Sequence, residues 1–184
     1  MDAFEEIISG LFRAEGYWTY QNYKVILTAD EKKAAESPTM PNPVIDILAY
    51  KPLVNKLIWI ECKSYLDSGG VLAQSFTKTD GVGAERYKVF TREKYRKAVS
   101  EKLLFQTEKS GLTLSNPLLN YCLVAGNFYS DESEQQVKDH FEKQRDWMVI
   151  GPTEIRDSIL RYADPNYGYE NNVAVMVAKL IGRM

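Results

Sequence analysis

Pro43-Val-Ile-Asp46-Ile-Leu-Ala-Tyr50 is followed, after Lys51-Pro-Leu-Val-Asn-Lys56, by Leu57-Ile-Trp-Ile-Glu61-Cys-Lys63. The apolar, β-branched character of both runs predicts two strands, 44–50 and 57–65, joined as an antiparallel hairpin. Three charged residues interrupt them. In a strand, residues two apart share a face, so Glu61 and Lys63 point one way and Cys62 the other. Folding the hairpin about its midpoint, between Leu53 and Val54, sets Asp46 opposite Glu61. Facing side chains have Cβ atoms about 5 Å apart, where like charges destabilise the pair. Such an arrangement calls for a cation. Lys63 supplies part of it, and a divalent metal held by two carboxylates, waters and a phosphate supplies it better. A register slip of one residue would send Asp46 to the other face. The plainer alternative is a solvated face with a harmless Glu–Lys pair, but the neighbours on that face include Val44, Leu48 and Trp59.

Outward from this hairpin, Phe4, Ile7, Ile8, Leu11 and Phe12 recur at helical spacing, predicting an amphipathic helix that stops near Gly16. Residues 17–27 read as a first strand. Residues 28–43, polar and proline-bearing, read as a surface loop, and 66–85, rich in Gly, Ser and Thr, as a mobile one. A basic helix is predicted over 86–109, then a strand over 121–126, a polar helix over 131–145 and a strand over 147–150. Further helices start at Thr153 and at Asn171/Asn172, the last running through Ile181. The order α-β-β-β-α-β-α-β-α predicts one α/β domain, a mixed sheet flanked by helices.

Composition narrows the function. The 184 residues are 45% hydrophobic with a net charge of −2, which suits a globular core and argues against indiscriminate coating of nucleic acid. No apolar run reaches the roughly 20 residues of a membrane span, and the acidic start is unlike a secretory signal, so a cytoplasmic protein with no membrane partner is expected. Cys62 and Cys122 lie in apolar runs and read as buried, reduced thiols. The 86–109 segment is basic, with Tyr87, Phe90 and Tyr95 interleaved; Tyr87, Phe90, Val99 and Leu103 read as a core stripe, while the lysines are free to meet phosphates. His140, alone in a polar helix, reads as a surface residue. Asp80-Gly-Val-Gly83 lacks the lysine of a phosphate-binding loop. The turn-rich aromatic segment 162–169 suggests packing against a second subunit, a homodimer.

Asp46 followed by Glu61-Cys-Lys63 on the second strand of a hairpin resembles the PD-(D/E)xK, restriction-endonuclease-like nuclease superfamily. The opening Phe4-Glu5-Glu6-Ile-Ile-Ser-Gly-Leu-Phe-Arg-Ala-Glu-Gly16-Tyr17 is similar to the first helix of its Mrr-type and Holliday-junction-resolvase branches. The resemblance implies a restriction-endonuclease-like fold and Mg2+-dependent cleavage of DNA, with Mn2+ as a substitute, in restriction, repair or recombination. RNA is not separated from DNA by these residues. It further implies that Asp46, Glu61, the backbone carbonyl of Cys62 and Glu5 hold the metal, and that Lys63 completes the catalytic set. Helical phase favours Glu5 over Glu6, because Glu5 lies beside the apolar stripe and Glu6 opposite it; an acid favoured by the helix dipole in a first turn is the competing reading. Two departures stand out. The family's proline directly precedes the aspartate, whereas Pro43 is three residues earlier, and neither Gln74 nor Gln106 is clearly the glutamine that Mrr-type members carry after the lysine strand. The alternative function is a catalytically inactive nuclease fold that binds nucleic acid or acts as a scaffold, against which the intact Asp46, Glu61 and Lys63 argue.

Overall fold

A computed structural model describes residues 2–77, 81–167 and 172–182. Its centre is the hairpin. Strand β2 (Val44–Lys51) pairs antiparallel with β3 (Lys56–Lys63) through Ile47↔Ile60, Leu48↔Trp59, Ala49↔Ile58 and Tyr50↔Leu57, the register inferred from the loop midpoint. A 3-10 turn at Pro52–Val54 and Asn55, at φ 45°, close the connection. Asn55 is locked there: its amide accepts from the Tyr50 hydroxyl and donates to the Ser115 carbonyl. Strand β1 (Trp18–Lys24) lies antiparallel on the outer edge of β2, while β4 (Leu118–Ala125) and β5 (Trp147–Ile150) continue the sheet in parallel beyond β3. The result is a five-stranded mixed sheet in the order β1-β2-β3-β4-β5.

Alternation along β2 and β3 feeds two cores. Leu48, Tyr50, Leu57 and Trp59 pack with Val89, Phe90, Val99, Leu103 and Phe141. These come from helices α5 (Lys88–Thr91), α6 (Glu93–Lys109) and α7 (Asp131–Glu142). Ile47, Ala49, Ile58 and Ile60 pack instead with α1 (Ala3–Ala14) and with α8 (Pro152–Ala163). Helices cover both faces because β3 and β4, paired on both sides, are apolar on both. The last helix, α9 (Val173–Ile181), is capped by Asn172 and buries only Val175. Among the described residues no helix is long and apolar enough to cross a membrane.

Three expectations are corrected. The polar segment 28–43 holds a helix, α2 (Ala29–Ala34), started by a capping box in which Thr28 and Glu31 satisfy each other's backbone N–H groups. The segment 66–85 is not all loop where described: short helices α3 (Gln74–Thr77) and α4 (Gly81–Arg86) occupy it, and Val71 bridges Phe128, while residues 78–80 lie outside the described residues. The basic helix is broken at Arg92, whose extended backbone (φ −120°, ψ 98°) separates α5 from α6.

The candidate acidic centre

Pairing of β2 with β3 ends at Ile47↔Ile60, and the two strands part there like a fork. In that opening the backbone N–H of Cys62 has lost its partner on β2. The Asp46 carboxylate replaces it, accepting that hydrogen bond at 2.8 Å. Glu61, next to Asp46 across the fork, accepts from the Trp59 indole N–H at 2.8 Å. Lys63 reaches both carboxylates, so the two residues meet on one side of the fork. Lys63 brings its ammonium to 3.6 Å from Glu61 and 3.9 Å from Asp46. The three side chains are each about four-fifths shielded from solvent, with relative exposures of 18–24%. Sequence spacing therefore located the cluster, and the structure brings its three members together.

Parallel pairing with β4 holds the outgoing chain, with Glu61 beside Leu123 and Lys63 beside Ala125. The Gly126 N–H then donates to the Lys63 carbonyl at 2.9 Å. A Cβ on Gly126 would sit 2.3 Å from the Ser64 carbonyl oxygen, so only glycine allows this approach. Neither the indole donor nor Gly126 stood out in the sequence. Trp59 was legible as a neighbour on the acidic face, but its hydrogen bond depended on side-chain direction.

Glu5 approaches from α1. Burial, and after it the Asp46 charge, raise its carboxyl above the ordinary range. Glu6 points elsewhere, to Arg13 and Gln21. Among the described residues, however, no three His, Cys, Asp or Glu side chains form a group able to hold a metal ion, so Asp46, Glu61 and Glu5 are not a preassembled cage. The donor set still fits a hard cation: two carboxylates already gather around one positive charge, and all candidate ligand atoms are oxygens. The Cys62 thiol is pushed far up by burial and Cys122 is fully buried; both are free thiols, and neither is a thiolate nucleophile.

The electrostatics follow from crowding. Burial, and then the facing Asp46 carboxylate, push the Glu61 carboxyl up to about 7 despite Lys63 and Trp59. Burial works against the Lys63 ammonium, but Glu61 and Asp46 outweigh it and hold the amine above its ordinary value. Tyr95, from α6, is raised by burial and by the same Glu61 charge. The folded protein thus keeps a proton on Glu61 that the unfolded chain releases above its ordinary value of 4.5. More protons are bound in the folded state between those values, so this contribution to stability is present at low pH and declines as pH rises towards 7. Thermal unfolding without divalent ions is expected to show that decline, Glu61→Gln to flatten it, and Mg2+ to restore stability at its upper end. A wild-type profile as flat as that of Glu61→Gln would contradict this assignment.

The chain matches no family model, no curated protein and no solved structure. The site must therefore be judged on its own chemistry.

The basic segment contributes less positive charge than its composition suggested. Lys88 and Arg92 both pair with Glu85, Lys94 with Glu36 and Lys102 with Glu31. Arg96 caps the Val89 carbonyl and stacks on Trp147. Tyr87, Phe90, Val99 and Leu103 are buried, as the core-stripe reading expects. Gln106 is structural, its side-chain oxygen accepting from the Ile26 N–H. His140 leans on Phe141 and Trp147, with burial and Lys143 lowering its pKa.

Proposed function

We propose that the chain is a Mg2+-dependent nuclease of the PD-(D/E)xK type, cutting phosphodiester bonds, with DNA as the expected substrate. The observation that carries this reading is the meeting of Asp46, Glu61 and Lys63 at the fork between β2 and β3. The sheet order, with an antiparallel β1–β3 meander followed by parallel β4, supports the same fold assignment. A bound Mg2+ would neutralise charge on the phosphate and make a water more acidic. Asp46, Glu61 and the Cys62 carbonyl are the oxygens that would hold it, with Glu5 as an outer carboxylate. Lys63 would orient the attacking water or stabilise charge building on the phosphate oxygens. Asp46 has a second task, holding the Cys62 N–H so that the strand stays open. Trp59 donates to one Glu61 oxygen while Lys63 meets the other.

A second reading has its own support. Lys63 offsets one of the two carboxylate charges, and the raised Glu61 carboxyl holds a proton up to about 7, so the cluster is partly neutralised without a metal, which suits an inactive fold that only binds nucleic acid or acts as a scaffold. We place the protein in the cytoplasm, where its two free thiols stay reduced. A second copy of the chain is the other proposed partner. Segment 162–169 does not offer Tyr162 for that contact, since it is buried and bonds Glu15, and residues 168–169 lie outside the described residues, whereas the outer side of α9 exposes Val173, Met176, Val177, Leu180 and Ile181.

Incubation with plasmid and linear DNA, with Mg2+, Mn2+ or chelator, tests the proposal. Metal-dependent nicking or cutting that chelator stops is the expected result, and a dependence on protein concentration steeper than first order would report dimerisation. Binding without cutting under every metal condition would favour the inactive reading.

A further inference from the structure

Two residues beyond Lys63, Tyr65 adopts φ 43°, a left-handed conformation uncommon for a bulky side chain and frequent where strain is kept for function. The chain there leaves the sheet and borders a concavity of about 360 Å3, lined by Tyr65, Leu72, Gln74, Ser75, Arg86 and Tyr87 among others. That size is at the lower end of small-ligand sites, which span about 300–1,000 Å3. The wall is fixed. Gly70, at φ 80°, passes so close to Phe128 that a Cβ would fall 2.4 Å from its backbone carbon. Tyr87 is buried against Phe76, with ring centroids 4.5 Å apart.

The Tyr65 and Tyr87 hydroxyls bond each other, but three other polar side chains around this hollow have no partner within the described residues. Arg86 pairs with no carboxylate there, although Lys88 and Arg92 nearby both take Glu85. The Gln74 amide and the Ser75 hydroxyl form no side-chain hydrogen bond. A half-buried tyrosine ring, an unpaired guanidinium, an amide and a hydroxyl in one recess suit a nucleotide. The ring can stack on a base, the guanidinium can meet a phosphate, and the amide and hydroxyl can reach a base edge. Two residues of chain separate the Tyr65 and Lys63 Cα atoms by at most about 7 Å, so the recess opens beside the strand end that carries Lys63.

Resting on the nuclease reading, we propose that this recess receives one unpaired nucleotide next to the phosphodiester at Asp46, Glu61 and Lys63. The preferred substrate is then a strand with a base already out of the stack. Extracting a paired base costs free energy that an unpaired one does not, and that difference sets the preference. Stacking of one base on an aromatic side chain is worth about 5- to 150-fold in affinity, which sets the scale of the effect.

The test uses the full chain in chelator, where no cutting occurs, and compares a fully paired duplex with the same duplex carrying a single-base 2-aminopurine bulge. The bulged duplex is expected to bind about tenfold more tightly, with a change in 2-aminopurine fluorescence on binding. Arg86→Ala and Tyr65→Ala are each expected to remove that preference, and Tyr65→Phe to retain it. Arg86 is exposed, so Arg86→Ala remains informative even if Tyr65→Ala fails to fold. Equal affinity for the two duplexes, or a preference that survives Arg86→Ala, overturns the inference and leaves the nuclease reading standing. Failure to bind either duplex in chelator also overturns the inference, while metal-dependent cutting of plasmid DNA decides the nuclease reading separately.

Discussion

Lys63→Ala is expected to reduce Mg2+-dependent DNA cleavage by about 10²- to 10⁴-fold, the range for loss of a positioned proton-transfer or charge-stabilising group. The ammonium is the only cation recorded within 4 Å of the Asp46 and Glu61 carboxylates among the described residues. Removing it leaves two shielded carboxylates facing each other, so Glu61 will hold its proton to still higher pH and the protein will melt earlier near pH 8. Mg2+ should recover more stability in this variant than in wild type, because the ion then meets two carboxylates without a competing amine. Asp46→Asn separates charge from architecture. The amide oxygen can still accept from the Cys62 N–H, and the repulsion on Glu61 is relieved, so folding should be retained while Mg2+ binding and cutting are lost. Plasmid nicking, titration calorimetry with Mg2+ and thermal melts of the three proteins would decide the matter. Cleavage within a factor of ten of wild type in both variants would end the mechanistic proposal.

Trp59→Ala carries the largest expected cost in stability, about 3–5 kcal/mol by urea unfolding, the usual range for deleting a large buried aromatic. Trp59 is 1% exposed, lies at the centre of β3 and meets Tyr121 with ring centroids 6.1 Å apart. Its indole N–H also holds Glu61. Trp59→Phe distinguishes the two roles: it keeps most of the packing and loses only the donor, at a cost of about 1–3 kcal/mol. A Trp59→Phe protein with unchanged stability and unchanged Mg2+ affinity would show that the indole hydrogen bond contributes nothing to the site.

The hairpin was readable because loop length and side-chain alternation together leave one register that buries both Ile47 and Ile60 and both Leu48 and Trp59. Extending that register by one step set Asp46 opposite Glu61; in the structure the pairing stops at Ile47↔Ile60 and the Asp46 carboxylate takes the Cys62 N–H instead. Contacts between segments distant in sequence were not readable. The acids of α2 and its C-terminal flank, Glu31 and Glu36, neutralise Lys102 and Lys94 across about 60–70 residues of chain, which pairs off part of an apparent phosphate-binding face. The α2 helix itself had a signal, Thr28 followed three residues later by Glu31, but its proline-bearing flanks favoured a loop. The break at Arg92 had no such sign: no proline or glycine marks it, and Arg96 turning back to the Val89 carbonyl is visible only in three dimensions.

Glu61 and Lys63 run alongside Leu123 and Ala125, and the Gly126 N–H closes on Lys63. All three proposed catalytic side chains are thus encoded in the first third of the chain, yet the strand that aligns two of them comes some 60 positions later. On the ribosome, a partial product would carry every acid and the lysine without the support that sets their geometry. Under the proposed nuclease reading, the site would take its geometry only once synthesis had passed the fourth strand.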